Sequence, residues 1–257
     1  MKVSDSFFNF LWFVPSDIIQ RGMENFIWKK YKMKRPILEV GTGNGEISKL
    51  VFNKLSSIEL GVDIDPVAVT RAKNCGLYRD VICTSCANLS IKDNSFNTVI
   101  SNSTFEHIID LKKSLNEVYR ILKKNGVFIF SVPLKDFRDY LIMKFGLKNT
   151  NLIDRRLNHY NYKTLDEWIE LLKDVGFYKI ETRRYFSCKI LGLWYILLKL
   201  STLKIRNNEL WSLVKQYFDF FPMRNIFSFS TKIIINSFFK KISKKDNKLM
   251  CFFCAYK

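Results

Sequence analysis

The 257-residue chain is 47% hydrophobic and 15% aromatic, which is enough to bury a substantial core and excludes wholesale disorder. Its formal net charge of +18 indicates an anionic partner, whether nucleic acid, a lipid surface or a phosphorylated substrate. The longest uncharged run of its apolar C-terminal part, residues 190–198, is far shorter than the ~20 residues that span a bilayer, so no transmembrane helix is predicted. Residues 7–14 lack the flanks of a signal peptide.

Hydrophobic periodicity divides the chain into alternating helices and strands. A first helix is predicted over residues 17–31, with Ser16 as its N-cap. Strands are predicted at 36–40, 58–62, 81–84, 96–101, 127–132, 177–186 and 249–256. Further helices are predicted at 46–55, 67–75, 111–123 and 165–175. Asn125 and Gly126 are predicted to stop the helix that begins at Leu111.

This alternation predicts an α/β fold with a doubly wound, mostly parallel sheet of seven strands. Residues 134–163 form a long polar and aromatic connection after the fifth strand. The predicted organisation is a helical extension over 1–35, a core over 36–188, a basic apolar helical insertion over 189–248 and a last core strand over 249–257.

A glycine-rich loop follows the first strand and opens a helix. Gly41, Gly43 and Gly45 let the backbone turn sharply and approach a ligand closely. Glu46 stands where a dinucleotide fingerprint requires its last glycine, which disfavours a pyrophosphate cofactor. Glu39, just before the loop, puts a carboxylate near the ligand and suits a cationic one.

Two aspartates follow the second strand. A carboxylate at Asp63 can accept both hydroxyls of a ribose. The alternative is that Asp63 or Asp65 caps the next helix, and Asp65 fits that cap better because Pro66 then takes the first helical position. Asp63 is therefore predicted to serve the ribose.

Six motifs follow one another between residues 36 and 133. They are Leu38–Gly45, Gly61–Pro66, Asp93–Ser101, Phe105–Ile108, Glu117–Lys123 and Gly126–Phe128. Together they resemble the class I S-adenosylmethionine-dependent methyltransferases, specifically the large group that includes the ubiquinone and menaquinone methyltransferases. The resemblance implies a Rossmann-like methyltransferase fold, S-adenosylmethionine as the cofactor and methyl transfer as the reaction.

The resemblance also implies which residues bind the cofactor. Glu39, Gly41 and Gly43 are expected to line its methionine end, and Asp63 to hold its ribose. The other implied contacts are Thr42, Gly45, Ile64 and Ser101.

The adenine position departs from the family. Family members usually carry an acidic residue after the third strand, where this chain has Ser85. A serine hydroxyl still accepts a hydrogen bond from the adenine amino group, and the backbone N–H of Cys86 can serve a ring nitrogen.

The implied mechanism is an in-line attack on the sulfonium methyl, with alignment as the main catalytic effect. An oxygen or nitrogen nucleophile also needs a base, and His107 and His159 are the two histidines of the chain. Their structural alternatives are a helix-start residue bonded to backbone and a surface loop residue. Glu106, Arg156 and Tyr160 are predicted to contact the acceptor, and Glu106 is the alternative base.

Six cysteines are too few for a disulfide scaffold and indicate free thiols in a reducing cytosol. Cys83 with Cys86 and Cys251 with Cys254 form two CxxC pairs, which allow a tetrathiolate zinc site in principle. Because both pairs are predicted inside strands, without the turns that present metal ligands, no metal is expected.

The insertion over 189–248 carries twelve Lys or Arg and three acidic residues, a net charge of +9. Basic residues interleaved with aromatic and aliphatic ones favour contact with an anionic membrane surface. The first interpretation is nevertheless a helical subdomain that packs on the core and caps the substrate, with membrane contact close behind it and nucleic-acid binding a distant third, since no RNA-binding motif is present. The expected location is cytoplasmic, with peripheral contact at the inner face of the membrane.

The sequence therefore predicts O-methylation of a small-molecule, sugar or lipid-linked glycan acceptor, the last by analogy with methyltransferases of surface-polysaccharide synthesis. A quinone or other lipid methyltransferase, an RNA methyltransferase and a non-catalytic cofactor-binding scaffold are the alternatives.

Overall fold

A computed structural model of the chain describes residues 3–205, 207–218, 223–240 and 248–257. The chain divides into two compact units. The helical unit comprises residues 1–31, 50–52 and 186–247, and the sheet unit comprises 32–49, 53–185 and 248–257.

Seven strands form the main sheet. They are β1 (Ile37–Val40), β2 (Ile58–Asp63), β3 (Tyr78–Cys83), β4 (Phe96–Asn102), β5 (Leu122–Pro133), β6 (Lys179–Ser187) and β9 (Lys248–Tyr256). Their order across the sheet is β3-β2-β1-β4-β5-β9-β6. The β1–β2, β2–β3, β1–β4 and β4–β5 pairs are parallel, and β9 runs antiparallel to β5. The predicted fold class is confirmed.

Helices connect these strands. They are α1 (Asp5–Phe10), α2 (Pro15–Trp28), α3 (Glu46–Val51), α4 (Pro66–Asn74), α5 (Leu111–Ile121), α6 (Lys135–Phe145), α7 (Leu147–Leu157), α8 (Leu165–Val175), α9 (Cys188–Ser201), α10 (Leu210–Phe218) and α11 (Met223–Lys240). A short 3₁₀ helix, Phe105–His107, follows β4, and the two-residue strands β7 (Lys204–Ile205) and β8 (Asn208–Glu209) pair with each other.

The centre of the sheet is apolar on both faces. All four residues of β1 are buried, as are seven of the nine in β9. Phe130 of β5 stacks on Phe128 and on Phe253, with ring centroids 4.6 and 4.9 Å away. Helices cover both faces of a sheet of this kind, so its central strands read as continuous hydrophobic runs.

Several predicted boundaries are wrong for identifiable reasons. Helix α2 begins at Pro15 with Val14 at the N-cap, so Ser16 lies buried inside the first turn; proline is favoured at that first position. Helix α5 ends at Ile121, before Asn125, and β5 begins at Leu122. Lys257 Nζ donates to the carbonyl oxygens of Tyr119 and Leu122, 2.7 Å from each, which satisfies groups exposed at that helix end.

The two segments that depart from the alternation are helical. Residues 134–163 hold α6 and α7, and α9, α10 and α11 occupy the insertion before the last strand. Of the charged residues counted in the insertion over 189–248, six lie outside the described residues: Arg206, Asp219, Lys241, Lys244, Lys245 and Asp246. Among the residues that are described, no helix has both the length and the hydropathy needed to cross a bilayer.

Candidate active site

A cavity of about 340 Å³ opens at the carboxyl ends of β1, β2 and β3 in the sheet unit. Its lining consists of Val40, Gly41, Val62, Asp63, Ile64, Thr84, Ser85, Cys86, Ala87, Thr104, His107, Ile108, Ile109 and Asp110. The volume lies within the range of small-molecule sites, and ligands of open α/β sheets bind at this edge. Six residues predicted to bind ligand line the cavity: Gly41, Asp63, Ile64, Ser85, Cys86 and His107.

Asp63 connects the glycine loop to the end of β2. Its Oδ2 accepts a hydrogen bond from the backbone N–H of Gly43 at 2.7 Å, and its Oδ1 accepts one from Asp65 at 3.0 Å. A carboxylate has about four lone-pair sites, so two remain for ligand hydroxyls. Asp65 accepts from Val67 N at 2.8 Å and caps α4, as predicted.

Gly41 keeps the cavity open beside Thr104. It has a φ of +79°, and a Cβ at this position would lie 2.2 Å from Thr104 Oγ1. A side chain therefore does not fit here, and the backbone itself forms the cavity wall. This cradle, with the Asp63 carboxylate, suits a ligand that combines a ribose with an extended polar chain.

Glu39 is buried outside the cavity lining, between two hydroxyl groups. Ser48 Oγ donates to its Oε1 at 2.6 Å and Tyr78 OH donates to its Oε2 at 2.8 Å. Burial raises the pKa of Glu39 to about 8, although both hydrogen bonds act in the opposite direction. The carboxyl group is therefore mostly protonated at neutral pH, which reduces the negative charge that it offers a cationic ligand.

Ser101, Thr42 and Gly45, which were also predicted to bind the cofactor, do not line the cavity but support the glycine-rich loop. Ser101 Oγ donates to the carbonyl of Val40 at 2.9 Å, and Thr42 is buried with its hydroxyl on the carbonyl of Gly43. Gly45 has a φ of +79°, and a Cβ there would lie 2.6 Å from Cys75 Sγ. The absence of a side chain at Gly45 allows the loop to pack closely against Cys75. A contact between Gly45 and the cofactor stays a prediction.

The two histidines lie side by side although they are distant in the chain. The ring centroids of His107 and His159 are 4.9 Å apart. The backbone N–H groups of Tyr160 and Asn161 donate to the carbonyl of Glu106 at 2.8 and 3.0 Å. These bonds join the segment after α7 to the 3₁₀ helix after β4.

Glu106, His107 and His159 form a cluster of possible ligands. One ligand atom from each lies within 4.8 Å of the other two, and Glu106 is buried. Of the predicted acceptor residues, Arg156 is exposed in the last turn of α7 and the Tyr160 side chain is 60% exposed. Their contact with an acceptor stays a prediction.

Only one of the two CxxC pairs lies within a strand, as predicted for both. Cys251 and Cys254 lie buried in β9, where burial raises the pKa of Cys251 to about 12. Cys86 lies beyond the end of β3, so its placement in a strand is wrong; its Sγ contacts Ser114 Oγ at 3.3 Å. The free thiols are spread over the sheet unit and α9.

Sequence reasoning missed part of the cavity wall. Thr104 and Asp110 line the cavity from the two ends of the Phe105–Ile108 motif, and Ile108 and Ile109 add apolar wall between them. The signal was their position directly after β4, because the segments that follow parallel strands meet at one edge of the sheet.

Known proteins share this sequence pattern and fold. The sequence family described as "Methyltransferase domain" matches residues 38–130. The ribosomal protein L11 methyltransferase of Dictyoglomus thermophilum is 33% identical over 50% of this chain and 42% of its own length. The ubiquinone biosynthesis O-methyltransferase of Ruegeria sp. is 25% identical over 62% of this chain and 67% of its own. This chain thus spans about two fifths of one relative and about two thirds of the other.

A solved structure extends the likeness to the fold. Phosphoethanolamine N-methyltransferase 2 of Haemonchus contortus, in complex with S-adenosyl-L-methionine, superposes with a TM-score of 0.62 at 18% identity, covering 99% of this chain and 57% of that one. Residues 38–130 of this chain thus match a methyltransferase-domain family, and the chain has the Rossmann-like fold of methyltransferases that use S-adenosylmethionine as their cofactor.

Proposed function

We propose that this chain transfers the methyl group of S-adenosylmethionine to a hydroxyl oxygen of a small-molecule, sugar or lipid-linked acceptor. The observation that carries the proposal is the continuity of one cavity from Gly41 and Asp63 to His107. The same cavity is therefore lined by Gly41 and Asp63, which suit the methyl donor, and by His107, which suits the methyl acceptor.

The residues of this chain have separate tasks in the proposed reaction. The bound cofactor supplies a methyl group on a positively charged sulfur, which leaves as a neutral thioether and needs no acid. Asp63 and the backbone at Gly41 hold the donor, which fixes the direction of attack. His107 and His159, whose side chains lie near that of Glu106, bind and activate the acceptor oxygen.

A quinone is the second candidate acceptor, since a ubiquinone biosynthesis O-methyltransferase is among the relatives. A hydroxylated ring and a sugar both present an oxygen nucleophile, so the same site chemistry serves either. RNA is the third candidate, supported by the charge of +18.

Labelled methyl transfer tests the proposal. The protein is incubated with methyl-labelled S-adenosylmethionine and, separately, with cell-envelope lipids, quinone precursors and total RNA. We expect label in the lipid or quinone fraction, and much less of it with Asp63→Ala when S-adenosylmethionine is below saturation. Label in RNA alone would replace the proposed acceptor class. Cofactor binding without transfer to any fraction would favour a non-catalytic scaffold.

We also propose that the helical unit contacts an anionic lipid surface. Exposed apolar side chains recur one turn apart, at Ile196 and Leu200 in α9 and at Phe229 and Ile233 in α11. Lys199 and Lys232 lie beside them in sequence. Apolar side chains among lysines suit a headgroup region, in which both the hydrophobic and the charged groups find partners.

A further inference from the structure

The cluster of Glu106, His107 and His159 has the donor atoms of a transition-metal site. It offers one carboxylate oxygen and two imidazole nitrogens, all within 4.8 Å of one another. His107 Nε2 lies 4.0 Å from Glu106 Oε1. Two histidines and one carboxylate are a ligand set that binds divalent zinc or iron and leaves further coordination positions open.

The hydrogen bonds of His107 fix its tautomer. Its Nδ1 lies 3.0 Å from the carbonyl oxygen of Asn158. Because a carbonyl only accepts, Nδ1 carries the proton and Nε2 carries the lone pair. Asn158 presents this carbonyl from a left-handed conformation with a φ of +52°. Asn158 is the C-cap of α7, a position at which asparagine readily adopts this conformation.

His159 is fixed in the same way through Tyr162. Its Nδ1 lies 2.7 Å from Tyr162 OH, which in turn donates to Asp154 Oδ1 at 2.8 Å. The tyrosine hydroxyl has one proton, and it donates that proton to Asp154. The tyrosine oxygen therefore accepts from His159 Nδ1, and the lone pair is on Nε2.

Both arrangements match the outer contacts of metal-binding histidines. Such residues almost always donate their second ring N–H to a carboxylate, a backbone carbonyl or water, which orients the ring and raises its basicity. His107 donates to a backbone carbonyl, and His159 donates to a hydroxyl that is itself bonded to a carboxylate. Asp154 is itself held by Arg138 Nε at 2.8 Å. Groups of the protein itself therefore orient the two imidazoles.

We propose that Glu106, His107 and His159 bind one divalent transition-metal ion, with zinc as the probe, and that the acceptor oxygen occupies an open position on it. Ligand atoms about 2.1 Å from a metal lie roughly 3–3.5 Å from each other. Side-chain rotations that move each ligand atom by about 1 Å would therefore complete the site. The role for the acceptor rests on the proposed function, whereas the binding of the ion does not.

The ion would act on the acceptor hydroxyl. Coordination lowers the pKa of a bound hydroxyl, which releases its proton to solvent. The resulting oxygen anion forms the O–CH₃ bond while the C–S bond breaks, and the electron pair of that bond stays on the now neutral sulfur. His107 and His159 then act as ligands, and neither is needed as a proton acceptor.

Metal binding by the full chain is measured without acceptor or cofactor. The dialysed protein, in a Cys83→Ser background that removes the exposed thiol, is titrated with Zn²⁺ by calorimetry and with Co²⁺ by visible absorption. We expect about one ion per chain and a cobalt spectrum of nitrogen and oxygen ligands. His159→Ala and Glu106→Gln should each weaken binding at least 100-fold.

Two further variants sharpen the test. Tyr162→Phe removes the acceptor of His159 Nδ1 and should weaken binding about 10- to 100-fold, as loss of an outer contact does. Glu170→Gln, an exposed carboxylate on α8, should leave binding unchanged. Cofactor titration of His159→Ala checks that the sheet unit is folded.

The proposal would be overturned by a wild-type protein that binds neither ion at micromolar concentration. It would also be overturned by His159→Ala or Glu106→Gln variants that bind as the wild type does. Failure of cofactor binding with intact metal binding would instead count against the proposed function.

Discussion

The Asp63 carboxylate accepts hydrogen bonds from the backbone of Gly43 and Asp65, so substitution of Asp63 affects both the loop and the ligand. Asp63→Ala removes both the predicted ribose contact and the acceptor for Gly43 N. We expect S-adenosylmethionine binding to weaken by about 1.5–3 kcal/mol, the range for a lost charged hydrogen bond. Calorimetry measures this, with Asp65→Asn as the control because it keeps an N-cap on α4. Wild-type affinity in Asp63→Ala would refute the ribose assignment.

Glu39 makes stability depend on pH. Its pKa rises from 4.5 to about 8 on folding, so between these values the folded state holds a proton that the unfolded state has lost. Its contribution is complete below pH 4.5 and is lost as the pH rises towards 8. We expect the free energy of unfolding to fall over this window by an amount on the order of a few kcal/mol.

The matched variant for this effect is Glu39→Gln, which does not titrate. Urea unfolding at several pH values should show wild type losing stability relative to Glu39→Gln from pH 5 to 8. Glu46→Gln, an exposed carboxylate seven positions later, should follow the wild-type profile. Parallel profiles for wild type and Glu39→Gln would show that Glu39 is charged in the folded protein at neutral pH.

At the level of elements, the loop between β1 and α3 requires glycine for two separable reasons. Gly41 and Gly76 share a φ of +79°, but a Cβ at Gly41 meets Thr104 whereas one at Gly76 meets nothing within 4 Å. Gly76→Ala should therefore cost about 1–2 kcal/mol of stability through backbone strain alone. Gly41→Ala should cost more and should also abolish cofactor binding.

Unfolding and cofactor titration of both variants measure the difference. Equal losses of stability, with cofactor binding intact in Gly41→Ala, would show that Thr104 moves aside and that the close approach has no role in the site.

The sequence predicted most elements of the sheet unit because their signals are local. Apolar runs ending in glycine or aspartate identify β1 and β2, and Asp65 followed by Pro66 identifies the start of α4. The start of α2 was misplaced because proline at the first position competes with serine at the cap. The end of α5 was misplaced because a lysine at the other end of the chain, Lys257, supplies its hydrogen bonds.

The site itself is only partly predictable, because some of its contacts join residues that are distant in the sequence. Gly41 and Asp63 belong to motifs with fixed spacing, so their shared cavity follows from the sequence. That His107 lies against His159 depends on the backbone bonds between Glu106 and the residues after α7. The burial of Glu39 between Ser48 and Tyr78 likewise depends on three separate elements.

At the scale of the molecule, the predicted membrane contact gives a salt-dependent signal. The full protein should sediment with vesicles containing acidic lipids and dissociate as salt rises, because the screening length falls to ~3 Å near 1 M. Phe229→Ser with Ile233→Ser should weaken sedimentation, while Tyr178→Ser, an exposed site of the sheet unit, should not. Equal sedimentation with neutral vesicles, or none with acidic ones, would contradict an electrostatic contact.

The position of β9 has a consequence for biosynthesis. This strand lies between β5 and β6, yet the chain makes it only after all of α9, α10 and α11. Until residue 256 has left the ribosome, β5 and β6 present hydrogen-bonding edges with no strand between them, a state prone to pairing with other chains. Closure of the sheet therefore depends on a contact of long sequence separation, which slows folding. A newly made chain should need a chaperone, or a pause in folding, during the interval before β9 pairs with β5 and β6.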